Sequence, residues 1–165
     1  MAGDQFWGPG HMVGTVQTDT TQDPTLYLGS SVNNDTSFAW TSYIVNVVMG
    51  VPFTFVPSSE TVENYPPSGP SDWSVAGVTT PTLQVGGLYN GLYEGTIDLT
   101  GGTPIPISDQ TAGELDFSYG IHFSSSTDYS FTQEMIPQGV PEPGDLGLVS
   151  GLLFGGFQLI KRLRK

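Results

Sequence analysis

Residues Glu114–Ser124 read ELDFSYGIHFS, and every second residue in this run is large and apolar. Successive side chains of a β-strand point to opposite faces of its sheet. The alternation therefore predicts a strand with one buried face and one solvated face. Five side chains form the predicted buried face: Leu115, Phe117, Tyr119, Ile121 and Phe123.

The next run along the chain, Asp128–Ile136, repeats this alternation with Tyr129, Phe131 and Met135. Only a short Ser/Thr segment separates the two runs. Two apolar-alternating runs joined by a short turn are typical of a β-hairpin, so we expect these strands to pair with each other.

A third run, Ser37–Met49, predicts a long strand whose pattern changes phase. Tyr43 and the alternate residues after it fall in one set, whereas Trp40 falls in the other. An extra residue in one strand shifts the side chains from one face to the other. We therefore expect a β-bulge or a bend near Ser42.

No helical periodicity occurs before Pro137, and turn-forming residues separate the short apolar runs. About nine short strands of this kind favour an all-β domain over residues 1–137, an antiparallel β-sandwich of jelly-roll-like topology. The Pro-rich segment Pro57–Pro70 is predicted to be a long surface loop. The remaining predicted strands are Met12–Thr18, Thr25–Leu28, Pro52–Val56, Trp73–Val78, Thr82–Val85, Leu88–Leu99 and Pro104–Ile107.

Charge is distributed very unevenly along the 165 residues. The chain has 16 acidic and 4 basic residues, and all four basic residues lie within the last five positions. A body without Lys or Arg cannot neutralise phosphates, which excludes a nucleic-acid-binding domain of the usual basic kind. Its carboxylates must instead face water, backbone N–H groups or bound cations. The absence of Cys excludes disulfides and thiol chemistry.

Catalytic patterns are weak in this sequence, and we expect the protein not to be an enzyme. His122 falls on the solvated face of its strand, and no motif marks one carboxylate pair among the acidic residues. We expect no resident cofactor, with calcium as the open alternative, because oxygen-rich loops can bind it but are also ordinary solvated turns. Trp73, Tyr89 and Tyr93 could stack on sugars or pack in the core. The candidate calcium ligands are Asp19, Asp23, Asn33, Asn34 and Asp35.

The segment Leu146–Ile160 is uncharged and is followed directly by a basic tip. As a helix it would be about 22 Å long, short of the roughly 30 Å hydrocarbon core, although basic side chains at its end can reach the headgroups. We expect a short transmembrane helix with its basic end in the cytoplasm, and a buried core helix is the alternative. The basic tip consists of Lys161, Arg162, Arg164 and Lys165.

Just before this segment, two prolines flank one acidic residue. Proline fixes φ and lacks an N–H donor, so Pro141-Glu142-Pro143 is predicted to be extended and unable to join a helix or a central strand. Such a segment is suited to the groove of a processing enzyme. With Val140 before it and Gly144 after it, it forms the predicted processing motif.

The order of these features, VPEPGDLGLVSGLLFGGFQLIKRLRK over residues 140–165, closely resembles the PEP-CTERM sorting signal of exported bacterial proteins. The resemblance implies that residues 138–165 form a sorting signal processed by an exosortase. It also implies membrane anchoring before processing, and then a place at the cell surface or in the extracellular matrix of a biofilm. Proteins with this signal normally begin with an export leader, so we expect one upstream of Met1, and export by another route is the alternative.

For the body, these observations favour a structural or adhesive role outside the cell. The alternative is a carbohydrate- or calcium-binding module whose ligand is exopolysaccharide of the matrix.

Overall fold

Strands and their connections make up the part of the chain that the structure, a computed structural model, describes: residues 2–5, 10–17, 25–65, 71–107, 113–123 and 128–141. No helix occurs among these residues, which confirms the all-β prediction for this part of the chain. The strands are β1 (Ala2–Gln5), β2 (Gly10–Gln17), β3 (Thr25–Asn34), β4 (Phe38–Met49), β5 (Phe53–Phe55), β6 (Thr61–Tyr65), β7 (Ser74–Val78), β8 (Thr82–Leu83), β9 (Tyr93–Ile105), β10 (Glu114–Phe123) and β11 (Asp128–Pro141).

Two sheets enclose the core. The five-stranded sheet has the order β1-β3-β10-β5, and β6 also pairs with β10. The six-stranded sheet has the order β2-β11-β4-β9-β7, and β8 also pairs with β9. Neighbouring strands are antiparallel, as expected, except that β1 runs parallel to β3.

Strand β10 has the two faces that its sequence predicts. Its five alternate apolar side chains are all buried, and none is more than 4% exposed. Burying one such side chain stabilises the fold by about 1.5–3 kcal/mol, so this face alone is a large part of the driving force for folding. The residues between them, among them Asp116, Ser118 and His122, lie on the outer face.

The predicted hairpin between β10 and β11 is wrong. Strand β10 pairs with β3, β5 and β6, whereas β11 pairs with β2 and β4 in the other sheet. Two strands that each have one apolar face can bury that face in two ways. They can lie side by side in one sheet, or they can face each other across the core from two sheets. The alternation is the same in both cases, so the sequence pattern does not distinguish them.

The predicted irregularity in the long strand β4 is confirmed. The pairing of β4 with β9 shifts register between Trp40 and Ser42. As a result Trp40 and Tyr43, which a regular strand would place on opposite faces, are both fully buried. Their ring centroids are 5.1 Å apart.

Two connections predicted as loops are strand. Residues Thr61–Tyr65 form β6 and pair with Glu114–Ser118 of β10, so the Pro57–Pro70 segment is not one continuous loop. The prolines of that segment flank β6 and leave its N–H groups free to pair. Strand β9 continues without a break from Tyr93 to Ile105, where the sequence predicts two separate strands.

Candidate functional site

The start of the predicted processing motif belongs to the last described strand. Val140 and Pro141 of β11 pair with Ala39 and Phe38 of β4, so both belong to an extended strand. Strand β2 pairs with β11 only up to Met135, and beyond this residue β4 is the neighbour that the described residues provide. A proline fits this position because, among the described residues, this end of β11 has one neighbouring strand and does not need every N–H donor.

Gly139, directly before the motif, lies at a second irregularity, where the β11–β4 register shifts between Gln138 and Gly139. A Cβ atom at Gly139 would collide with the carbonyl oxygen of Ala39. The close approach of the two backbones therefore requires glycine here.

The rest of the predicted sorting signal lies outside the described residues. This holds for Glu142, Pro143, Gly144, the Leu146–Ile160 segment and the four residues of the basic tip. Within the described ranges, the structure has no helix with the length and apolar character needed to cross a membrane.

Asn34, one of the candidate calcium ligands, has a structural role. Its side chain is fully buried, and its Nδ2 donates hydrogen bonds to the carbonyl oxygens of Phe38 and Ile105, at 2.9 and 3.1 Å. Its Oδ1 accepts hydrogen bonds from the backbone N and the Oγ1 of Thr36. Thr36 Oγ1 in turn accepts a hydrogen bond from the indole of Trp40 at 3.0 Å. The Asn34 amide thus ties the β3–β4 turn to the end of β9.

The other calcium candidates remain predictions. Asn33 is the outward neighbour of Asn34 on β3 and pairs with Glu114, and Asp35 follows in the turn. Asp19 and Asp23 lie outside the described residues. Within the described ranges, no three His, Asp or Glu side chains converge closely enough to bind a metal ion.

A polar network crosses the outer face of the six-stranded sheet. The buried carboxylate of Glu134 on β11 accepts hydrogen bonds from Asn46 Nδ2 at 3.0 Å and from the Tyr89 hydroxyl at 2.9 Å. Thr96 Oγ1 donates to Asn46 Oδ1 at 3.0 Å and extends the network to β9. The hydrogen bond from Tyr89 holds the loop before β9 against this face. Tyr89 is one of the aromatic residues that the sequence suggests for sugar stacking, and its hydroxyl is engaged in this bond.

Burial, the hydrogen bond to Glu134, and the negative charges of Glu134 and Glu94 together raise the pKa of Tyr89 to about 12. The ordinary tyrosine pKa is about 10. The folded state therefore holds the Tyr89 proton more tightly than the unfolded chain does. The contribution of this proton to the free energy of unfolding is complete below about pH 10 and is lost as the pH rises through about 12.

We expect Glu134→Gln to lower the pKa of Tyr89, as followed by NMR of its ring. An unchanged pKa in this variant would contradict the assigned cause, and Glu60→Gln is the matched control.

Two other residues singled out from the sequence have ordinary structural positions. Trp73 is buried, its indole donates a hydrogen bond to the carbonyl of Thr103 at 2.8 Å, and its ring packs on Gly101. It is therefore a core residue and not a sugar platform. His122 is on the outer face of β10 as predicted, and its Nδ1 lies 3.1 Å from Thr25 Oγ1.

An open groove of about 410 Å³ lies on the outer face of the five-stranded sheet. It crosses β3, β10 and β6, and Asp116 in its centre is paired with Ser31 on one side and with Glu63 on the other. One step along the strands, Ser118 is paired in the same way with Gly29 and Thr61. These six residues line the groove.

The groove is rich in hydrogen-bond acceptors. Glu63 and Asp116 face outward from directly paired positions, where two like charges repel each other. Among the residues that the structure describes, Asp116 Oδ1 is buried and has no hydrogen-bond partner. Thr61 Oγ1 and Ser118 Oγ lie 2.7 Å apart and bond to each other, and Ser31 Oγ donates to Glu114.

An exposed aromatic ring lies on the same face of the sheet, outside the residues that line the groove. Tyr27 is on the same face of β3, two residues before Gly29, and is 68% exposed. Its ring lies over Gly120, where a Cβ atom would be 2.9 Å from Tyr27 Cε1.

Sequence reasoning missed the groove because the second half of β3 and all of β6 were not predicted as strands. The small and acidic residues on the solvated face of β10 are the signal that pointed to it.

No known protein-family model matches the sequence, and no curated protein matches it.

Proposed function

We propose that the protein is an exported bacterial protein of the cell surface or extracellular matrix, directed there by a C-terminal PEP-CTERM signal and processed by an exosortase. The observation that carries this proposal is the order of three features over residues 140–165: Pro-Glu-Pro, an uncharged segment and a basic tip. In this proposal the segment Leu146–Ile160 is a transmembrane helix that holds the protein before processing. The basic tip stays in the cytoplasm and stops transfer.

The character of the body supports a structural or adhesive role. Most of its buried residues are apolar, and the contacts of Gln133 with Tyr119 and Ser30 between the sheets are hydrogen bonds between neutral groups. A body without Lys or Arg owes no stability to salt bridges made by these residues. Because salt screens the repulsion among its many carboxylates and finds no Lys or Arg ion pairs to weaken, we expect its stability to rise with salt concentration, as measured by thermal unfolding.

Two finer features of the fold belong to the same proposal. A jelly-roll-like relation between the two sheets agrees with the all-β architecture, and the C-terminal helix agrees with the apolar character of residues 146–160. With this arrangement the body is an acidic β-sandwich, and the sorting signal begins where its last strand ends.

The basic tip provides the direct test. We expect replacement of Lys161, Arg162, Arg164 and Lys165 by Gln to cause loss of correct membrane orientation, because the tip no longer resists transfer. The measurement is fractionation and protease accessibility of the full chain in a bacterium that contains an exosortase. The matched control replaces the four residues by the other basic residue, Lys by Arg and Arg by Lys, and should sort normally. Normal sorting of the Gln variant would overturn the proposal.

A further inference from the structure

We propose that Asn90 is a site of spontaneous deamidation through a succinimide, and that the folded loop between β8 and β9, residues 84–92, holds it in an unreactive state. The loop lies outside the sorting signal. A failed test would therefore leave the proposed sorting function standing.

The reaction needs an asparagine whose following residue leaves its backbone nitrogen accessible. Among the asparagines of the chain, Asn90 alone precedes a glycine, and the others precede Asn, Asp, Val or Tyr. Glycine has no side chain to crowd an attack by its own nitrogen. Asn90 and Gly91 are both exposed, so water and hydroxide reach them.

The covalent step consumes only water. Hydroxide removes the proton of the Gly91 nitrogen, which attacks Asn90 Cγ and closes a succinimide ring. The Cγ–Nδ2 bond breaks, and the nitrogen leaves as ammonia after taking a proton from water, which restores the hydroxide. Water then opens the ring at either carbonyl and leaves aspartate or isoaspartate at position 90.

Hydrogen bonds within the loop oppose this attack. The Gly91 N–H donates to the Gln84 carbonyl oxygen at 2.9 Å, and this bond must break before the nitrogen can lose its proton. Asn90 Oδ1 accepts a hydrogen bond from the Gly86 N–H at 2.7 Å. This second bond restricts the rotation that brings Cγ to the Gly91 nitrogen.

Further contacts keep the loop closed around the reactive pair. The Gln84 N–H donates to the Leu92 carbonyl at 2.8 Å, and the Leu92 N–H donates to the Tyr89 carbonyl at 2.9 Å. Directly before Asn90, the Tyr89 hydroxyl donates to the buried carboxylate of Glu134 on β11. Reaction therefore proceeds from the small fraction of molecules in which the loop has opened locally.

Modification would prevent the loop from closing in the same way again. In isoaspartate the backbone runs through Cβ and Cγ, which inserts an extra atom between residue 90 and Gly91. The Gly91 N–H, now placed by a φ of +81°, would no longer meet the Gln84 carbonyl. Either product also adds a negative charge to a body that has no Lys or Arg.

The first test compares the folded full chain with the same chain in denaturant, in one mildly alkaline buffer, by peptide mapping with mass spectrometry. We expect Asn90 to be the first asparagine to react in denaturant. In the folded chain it should react at least about tenfold more slowly, because the loop must first lose hydrogen bonds. Equal rates in the two states, or faster reaction of another asparagine in denaturant, would overturn the proposal.

The second test releases the loop from the sheet. Tyr89→Phe keeps the ring but removes the bond to Glu134, and should speed deamidation of the folded chain by about tenfold without changing the rate in denaturant. The Gly91 amide should exchange hydrogen faster in this variant, whereas the amide of Tyr119 in the core should not, which separates local opening from unfolding. Tyr27→Phe, an exposed tyrosine on β3, is the matched control and should react like the parent chain. An unchanged rate in Tyr89→Phe, or an equal rise in Tyr27→Phe, would contradict the protective role of the loop.

Discussion

Gln133→Leu is expected to destabilise the protein by about 2 kcal/mol, although it replaces a polar side chain by an apolar one in the core. Gln133 is fully buried between the sheets. Its Oε1 accepts a hydrogen bond from the Tyr119 hydroxyl at 2.6 Å, and its Nε2 donates to Ser30 Oγ at 3.1 Å. Burial raises the pKa of Tyr119 far above its usual value, so the hydroxyl remains a donor. Leucine would leave that donor buried without an acceptor, which costs about 1–3 kcal/mol.

A double-mutant cycle separates this hydrogen bond from simple packing. Tyr119→Phe alone should also destabilise, because it leaves Gln133 Oε1 without its donor. The double variant should lose about 1 kcal/mol less than the sum of the two single losses, because neither half of the bond is then left unpaired. Chemical denaturation provides the measurement. The control combines Gln133→Leu with Tyr43→Phe, and the two losses of unfolding free energy should add. Additive losses in the Tyr119 cycle would contradict the hydrogen bond between Tyr119 and Gln133.

Asn34→Ala is expected to cost about 3 kcal/mol or more. The substitution removes four hydrogen bonds at a fully buried site and leaves two carbonyl oxygens, those of Phe38 and Ile105, without this donor. The measurement is the free energy of unfolding in denaturant.

The matched control for this prediction is Asn33→Ala. Asn33 is the preceding residue of the same strand, and its side chain is only half-buried. We expect this variant to lose no more than about 1 kcal/mol. Similar losses in both variants would show that the Asn34 contacts do not stabilise the turn.

The single-strand features of the fold could be predicted from the sequence because they depend on local patterns. The alternation in β10 fixes which side chains are buried, and the phase change in β4 locates the bulge near Ser42. Strand partners could not be predicted. Whether β10 and β11 pair side by side or face each other depends on contacts between distant residues, such as Tyr119 with Gln133.

The same limit applies to the sites. Asn34 lies in an oxygen-rich turn of the kind that can bind calcium. Its side chain instead donates a hydrogen bond to Ile105 of β9, some 70 residues further along the chain. Gln133 occupies an inward position of β11 between Phe131 and Met135, and a polar residue at such a position is the signal that a buried hydrogen bond exists. The groove requires three strands, of which only β10 was predicted along its whole length.

The pairing of Val140 and Pro141 with β4 also affects the C-terminus that the body would have after removal of the sorting signal. If cleavage occurs near the Pro-Glu-Pro as proposed, the new terminus follows immediately on a strand that is hydrogen-bonded to its neighbour. Any lipid or glycan joined to that terminus would be held against the end of the sandwich without a flexible tether. The orientation of the mature protein on its support would then be set by the sheet itself.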